Sequence, residues 1–137
     1  MWKYYAMLSA LFASLTAILA KVGLKGINSN LATAIRTVVI LFLAWGIVAF
    51  SGELKDTRNL TRQNLLFLCL SGIATGLSWI FYFKALSTGP VSKVAPIDKL
   101  SVALTIILSA LLLKEPLDGK TIAGGLLILA GTFVLIR

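Results

Sequence analysis

The stretch LATAIRTVVILFLAWGIVAFS, residues 31–51, decides the fold. It runs for 21 residues with one charge, Arg36, and no polar face at either helical or strand spacing. A helix needs roughly 20 mostly apolar residues to cross the ~30 Å hydrocarbon core of a bilayer. A run of that length and uniformity is a transmembrane helix. Four more runs flank it, over residues 4–24, 64–86, 91–113 and 119–136. The fold class that follows is an all-α membrane protein with five transmembrane helices.

The rest of the composition agrees. Of 137 residues, 58% are hydrophobic and 13% charged, more apolar surface than a soluble domain of this size hides. The five runs use most of the chain and leave no room for a soluble catalytic domain. The net charge of +8 sits mainly at the ends of apolar runs. Basic residues so placed meet anionic lipid headgroups and snorkel to the interface, so the lipid bilayer and not nucleic acid is the expected partner. There is no histidine, which excludes a Cys/His metal site and an imidazole triad. The single cysteine, Cys69, forms no intrachain disulfide and reads as a packing residue. There is no nucleophile beside a base and no phosphate loop, so neither an enzyme nor a cofactor is expected. The first run exceeds the apolar core of a signal peptide and is read as a retained helix.

The connections are short, so neighbouring helices are expected to be antiparallel within one domain, residues 1–137. A polar turn at residues 26–30 precedes the second run, with Asn30 placed to cap it. Residues 52–63 form the longest and most charged loop. Ser87-Thr88-Gly89-Pro90 ends the third run. The fourth is interrupted where Pro96 removes a helical hydrogen bond and Asp98 and Lys99 follow. Asp118 is placed to cap the fifth.

An odd number of spans puts the termini on opposite sides, and the distribution of Lys and Arg between the sides sets orientation. The N-terminal side holds Lys3, Lys55, Arg58, Arg62, Lys114 and Lys120, which is six; the other holds Lys21, Lys25, Lys84, Lys93 and Arg137, five, or seven with the deeper Arg36 and Lys99. The two sides balance. A chain without bias is expected to insert both ways round, and two opposed copies would form an inverted pair of the kind transporters build from internal repeats. The alternative is a single orientation set by the loop at residues 52–63.

Ionisable residues inside a membrane are costly and mark a site by default. Here they are Lys21, Arg36, Lys84, Asp98 and Lys99, all in the half of their helices away from the N-terminal side. Arg36 and Asp98 lie roughly 8–10 Å deep at 1.5 Å per residue. One reading makes them an ion pair joining helices two and four, with Lys21 and Lys84 snorkelling. The other gathers all five around a cavity that favours an anionic or zwitterionic solute. Only the second gives Lys99 a role. Trp79, Phe81, Tyr82 and Phe83 form either an interfacial belt or, through Trp79 and Tyr82, an aromatic wall of that cavity. Small residues mark packing seams: Ala6, Ala10, Ala13, Ala17 and Ala20 in helix one, Gly72 and Gly76 in helix three, Gly124 and Gly131 in helix five. Gly124 and Gly131 serve either a dimer interface or a seam within the chain.

Four segments carry a resemblance: Phe83-Lys84-Ala85-Leu86, Ala95-Pro96-Ile97, Leu113-Lys114-Glu115-Pro116, and the glycine-rich run from Gly124 to Gly131. In this order and spacing they resemble the EamA domain of the drug/metabolite transporter superfamily, over nearly the whole chain. Arg36 also sits where such domains place an Arg early in helix two. Larger members carry two such domains in inverted orientation. The resemblance therefore implies a half-transporter unit that works as a homodimer or with a partner chain, and it implies transport of small metabolites. The chain is also similar in size to the small multidrug resistance proteins. It departs from them in having no acid in helix one, which argues against export of polyaromatic cations. If a proton is coupled, Asp98 is the one membrane-embedded carboxylate able to carry it.

The expected function is thus transport of a small solute across the cell (inner) membrane, by alternating access, as an antiparallel homodimer. The rival is a packing or regulatory subunit of a larger membrane complex that carries no solute itself.

Overall fold

The computed structural model describes residues Met1–Arg137. It contains helices and no strand: α1 (Trp2–Gly23), α2 (Ser29–Phe50), a 3-10 segment (Glu53–Asn59), α3 (Arg62–Thr88), α4 (Val91–Asp98), α5 (Leu100–Leu112) and α6 (Gly119–Ile136). Counting α4 and α5 as one interrupted span, five segments are long and apolar enough to cross a membrane. Each is helical and so closes its backbone hydrogen bonds within itself, as a lipid solvent requires, except at the interruption of the fourth.

The helix ends follow local chemistry. Asn28, in extended conformation, caps α2 by accepting from the Asn30 backbone N–H at 2.8 Å. The cap is therefore Asn28, two residues ahead of the expected Asn30. Asn28 has the non-helical φ/ψ a cap needs, while Asn30 is already in the first turn. Asp118 caps α6 as its position suggests, accepting from the Thr121 N–H at 3.0 Å and from the Thr121 hydroxyl. These donors hold the exposed Asp118 carboxyl below the ordinary carboxylate range, the hydroxyl first and the backbone second. Gly52 leads out of α2 with φ 73°, a left-handed turn that glycine adopts without strain. The segment after it, expected as loop, winds into 3-10 turns.

The fourth span breaks at Lys99 and not at Pro96 itself. Pro96 fits inside α4. It has no N–H to give to the Ser92 carbonyl, and the ladder tightens three residues later, where the Lys99 N–H bonds the Pro96 carbonyl at 3.0 Å. Lys99 itself sits at φ −70° and ψ −5°.

The chain divides into two compact units, one of residues Met1–Ile18 with Thr88–Arg137, the other of Leu19–Ser87. In the first, α6 packs along α4 and α5. Gly125 faces α5 so closely that a Cβ there would lie 3.1 Å from the Ile106 side chain, and Ala103 is buried in the same seam. The Thr132 hydroxyl, buried at 3% exposure, donates to the Ile128 carbonyl at 2.8 Å and approaches that of Pro96 at 3.5 Å, beside the break. In the second unit the tightest packing is at the end of α3, where Phe83 and Leu86 are fully buried. Most other large apolar side chains are exposed, as in a helix surface whose solvent is lipid.

Candidate solute site

The second unit gathers Arg36, Trp79, Tyr82 and Phe83. Arg36 is the eighth residue of α2, nearly one turn past Thr33 and next to Thr37, whose hydroxyls bond back to the carbonyls of Ser29 and Thr33 at 2.9 Å. Its guanidinium lies over the Phe83 ring, 4.3 Å from the centroid, and 5.8 Å from that of Trp79. Trp79 and Phe83 are four residues apart on α3 and so share a face. Tyr82 meets Phe83 edge-on, the rings at 88° with centroids 5.7 Å apart. The aromatic cluster thus divides: Phe81 is exposed, as a belt residue would be, while Phe83 is buried under the arginine.

The Arg36 Nη1 atom is buried and has no hydrogen-bond partner. Guanidinium presents five N–H donors in a rigid fork that matches a carboxylate or phosphate. An aromatic face holds the cation but satisfies no N–H in the ring plane. Such an atom retains its capacity for an oxyanion.

Lys21 is placed differently. Its ammonium donates to the Leu86 carbonyl at 2.5 Å, joining α1 to the last turns of α3 within the same unit. A cation on a helix C-terminal carbonyl also meets the negative end of the helix dipole. Lys84 is exposed on α3. Flanking the Trp79–Phe83 face, α3 carries Ser71, Thr75 and Ser78 in line with Tyr82, by helical spacing.

Asp98 and Lys99 lie in the first unit, at the break. The Lys99 ammonium stands 3.5 Å from a carboxylate oxygen of Asp98, with side-chain exposures of 53% and 36%. Arg36 and Asp98 belong to different units, and each has a partner within its own: rings for the arginine, the neighbouring lysine for the carboxylate. Of the two glycines assigned to a dimer contact, a Cβ at Gly124 or Gly131 would meet nothing within 4 Å. The intrachain seam uses Gly125 instead.

Phe83, and not only the expected Trp79 and Tyr82, lies against Arg36. Its spacing from Trp79 marked the face, but which of four aromatics meets Arg36 depends on how α2 and α3 pack.

Residues 1–137 match the model of the EamA-like transporter family. Over 134 residues the chain is 47% identical to the "Uncharacterized transporter in cobO 3'region" of a Sinorhizobium species, covering 98% of this chain and 95% of that protein. No solved structure matches.

Proposed function

This chain belongs to the EamA-like transporter family, and from that membership we propose that it carries a small anionic or zwitterionic metabolite, with Arg36 as the anchor for the solute's oxyanion. The observation that carries the reading is the buried, unpartnered Nη1 of an arginine held over Phe83. A membrane protein keeps so costly a group where it has work to do. A carboxylate or phosphate pairs with the free side of the fork, and Phe83, Trp79 and Tyr82 form the floor beneath. Lys84 adds positive charge on α3. In the first unit the Asp98–Lys99 pair at the helix break is the charged element of the route, and Lys21 acts through the end of α3 that it fastens.

The working unit in this reading is an inverted homodimer in the cell membrane, operating by alternating access. The even division of Lys and Arg between the two sides supports dual insertion. The open flanks of Gly124 and Gly131 leave a face of α6 for a second copy.

Counterflow in proteoliposomes of the purified chain tests the solute class. Anionic and zwitterionic solutes are expected to exchange and organic cations are not; exchange of cations alone, or of nothing, rejects the reading, and the latter favours a non-transporting subunit. Lys99→Ala is expected to lower the flux. Reporters fused after Arg137, one active only inside and one only outside, are both expected to signal. A single signal, with no second protein present, rejects the inverted dimer.

A further inference from the structure

The buried residues of the second unit are Ala20, Leu24, Thr33, Phe83 and Leu86. All lie at one end of it: the last turn of α1 and the turn after it, the start of α2 and the last turns of α3. Away from that end, residues 37–45 of α2 and 62–75 of α3 are exposed throughout. These helices are thus closed together at one end and not along their length. Lys21 fastens the closed end, its ammonium on the Leu86 carbonyl. Arg36 stands at its inner edge, the guanidinium 4.3 Å from the Phe83 ring centroid. Phe83 and Leu86 are three residues apart, so the two cations meet one face of α3, a turn apart.

Arg36 is under two opposed demands. Its Nη1 needs an acceptor and has none, and the atom is buried, so an acceptor from solution does not reach it in this arrangement. A buried N–H left unpaired is costly. The attraction of the cation to the ring beneath it offsets part of that cost. Phe83 is itself 1% exposed. It holds the guanidinium and offers no surface to a solute. An oxyanion gains Nη1 only when the guanidinium leaves the ring or the helix ends part. Its binding energy therefore belongs to the opened arrangement alone. A ligand that binds one of two arrangements shifts the balance toward that one.

We propose that the Arg36–Phe83 stack is the latch of a gate. It keeps the gathered ends of α1, α2 and α3 shut while the site is empty, and an oxyanion releases it by taking the guanidinium. Phe83 is the gating residue and acts through Arg36 without touching the solute. The gate rests on the reading of Arg36 as the oxyanion anchor and adds to it the residue that controls access.

Inorganic phosphate serves as the probe. In a Cys69→Ala background of the full chain in proteoliposomes, Thr33→Cys places a thiol within the closed end and Thr37→Cys one on the exposed flank. Each is treated from both sides with 2-(trimethylammonio)ethyl methanethiosulfonate. Phosphate, against chloride at equal ionic strength, is expected to speed labelling at 33 saturably, by about tenfold, and to leave labelling at 37 unchanged. Arg36→Met should abolish the response. Phe83→Leu weakens the shut arrangement, so the half-saturating phosphate concentration should fall by about tenfold. Loss of a residue that touched the solute would raise it. Phe83→Met is a second replacement with the same expected outcome, in case the first does not fold. A rate at 33 that phosphate leaves unchanged, or a half-saturating concentration that rises in the Phe83 variants, overturns the gate. Solute exchange is measured in parallel. Anion exchange that Arg36→Met abolishes, without the labelling response, sinks the gate and leaves the anchor standing. The labelling response without anion exchange supports the gate and counts against transport.

Discussion

Replacing Arg36 by Met separates a structural arginine from a functional one. Met keeps the length of the side chain and can lie over the Phe83 ring, so little packing volume is lost. The guanidinium's attraction to a ring 4.3 Å below it, with a second ring at 5.8 Å, is worth about 1–2 kcal/mol, and the variant forfeits it. Against this, the variant releases a buried N–H that has no partner, a penalty of about 1–3 kcal/mol. It also avoids part of the roughly 2.5–3.5 kcal/mol that a charged side chain costs near a span's centre. Arg36 is the eighth of 22 residues in α2, so only part of that cost applies. The net is a gain of roughly 1–2 kcal/mol, or a few degrees in melting temperature. Arg36→Met is thus expected to be more stable than the natural protein, by thermal melting in detergent, and to have lost exchange of anionic solutes. An arginine kept for the fold gives the reverse. A variant destabilised by about 2 kcal/mol, or one that keeps its flux, refutes the argument.

Three further outcomes are expected. Lys21→Ala loses the bond to the Leu86 carbonyl and should destabilise by about 1–2 kcal/mol, read in thermal melts; a fall in flux with unchanged stability would make Lys21 a cavity cation instead. Asp118 stabilises the start of α6 as a carboxylate whose pKa is lowered on folding, so its contribution is complete above the ordinary Asp value near 3.9 and is lost as pH falls through the lower folded value. Asp118→Asn, which still caps, should flatten the acid limb of a stability–pH curve without removing the cap; an unchanged limb counts against it. Gly131→Leu points into open space within the chain; it should leave monomer melting within ~0.5 kcal/mol while reducing dimer cross-linking, and unaltered cross-linking removes Gly131 from the interface.

Much of this protein is legible in its sequence, because the bilayer reduces the problem to one dimension. A run of about 20 apolar residues has one low-energy outcome in lipid, with its backbone satisfied internally, so residues 31–51 and their four counterparts fixed the spans and the helical class. Asp118 as a cap and an interruption of the fourth span are equally local matters. Even locally the structure differs by a few residues: Asn28 and not Asn30 caps α2, because the cap depends on backbone angles that residue type alone does not set, and the helix breaks at Lys99, three residues past Pro96.

What the tertiary structure decided is which faces meet. Sequence spacing put Trp79 and Phe83 on one side of α3, but only the packing of α2 against α3 made Phe83 the floor under Arg36 and left Nη1 without a partner. Spacing placed Lys21 near a helix end, and packing gave it the Leu86 carbonyl. Glycines at 124, 125 and 131 are alike by composition, yet Gly125 alone meets α5. The physical reason is common to all three. Between helices in lipid there is little hydrophobic preference for one face over another, so the contact is chosen by close fit and by polar groups seeking partners. Those are properties of two surfaces together, and neither surface contains them by itself.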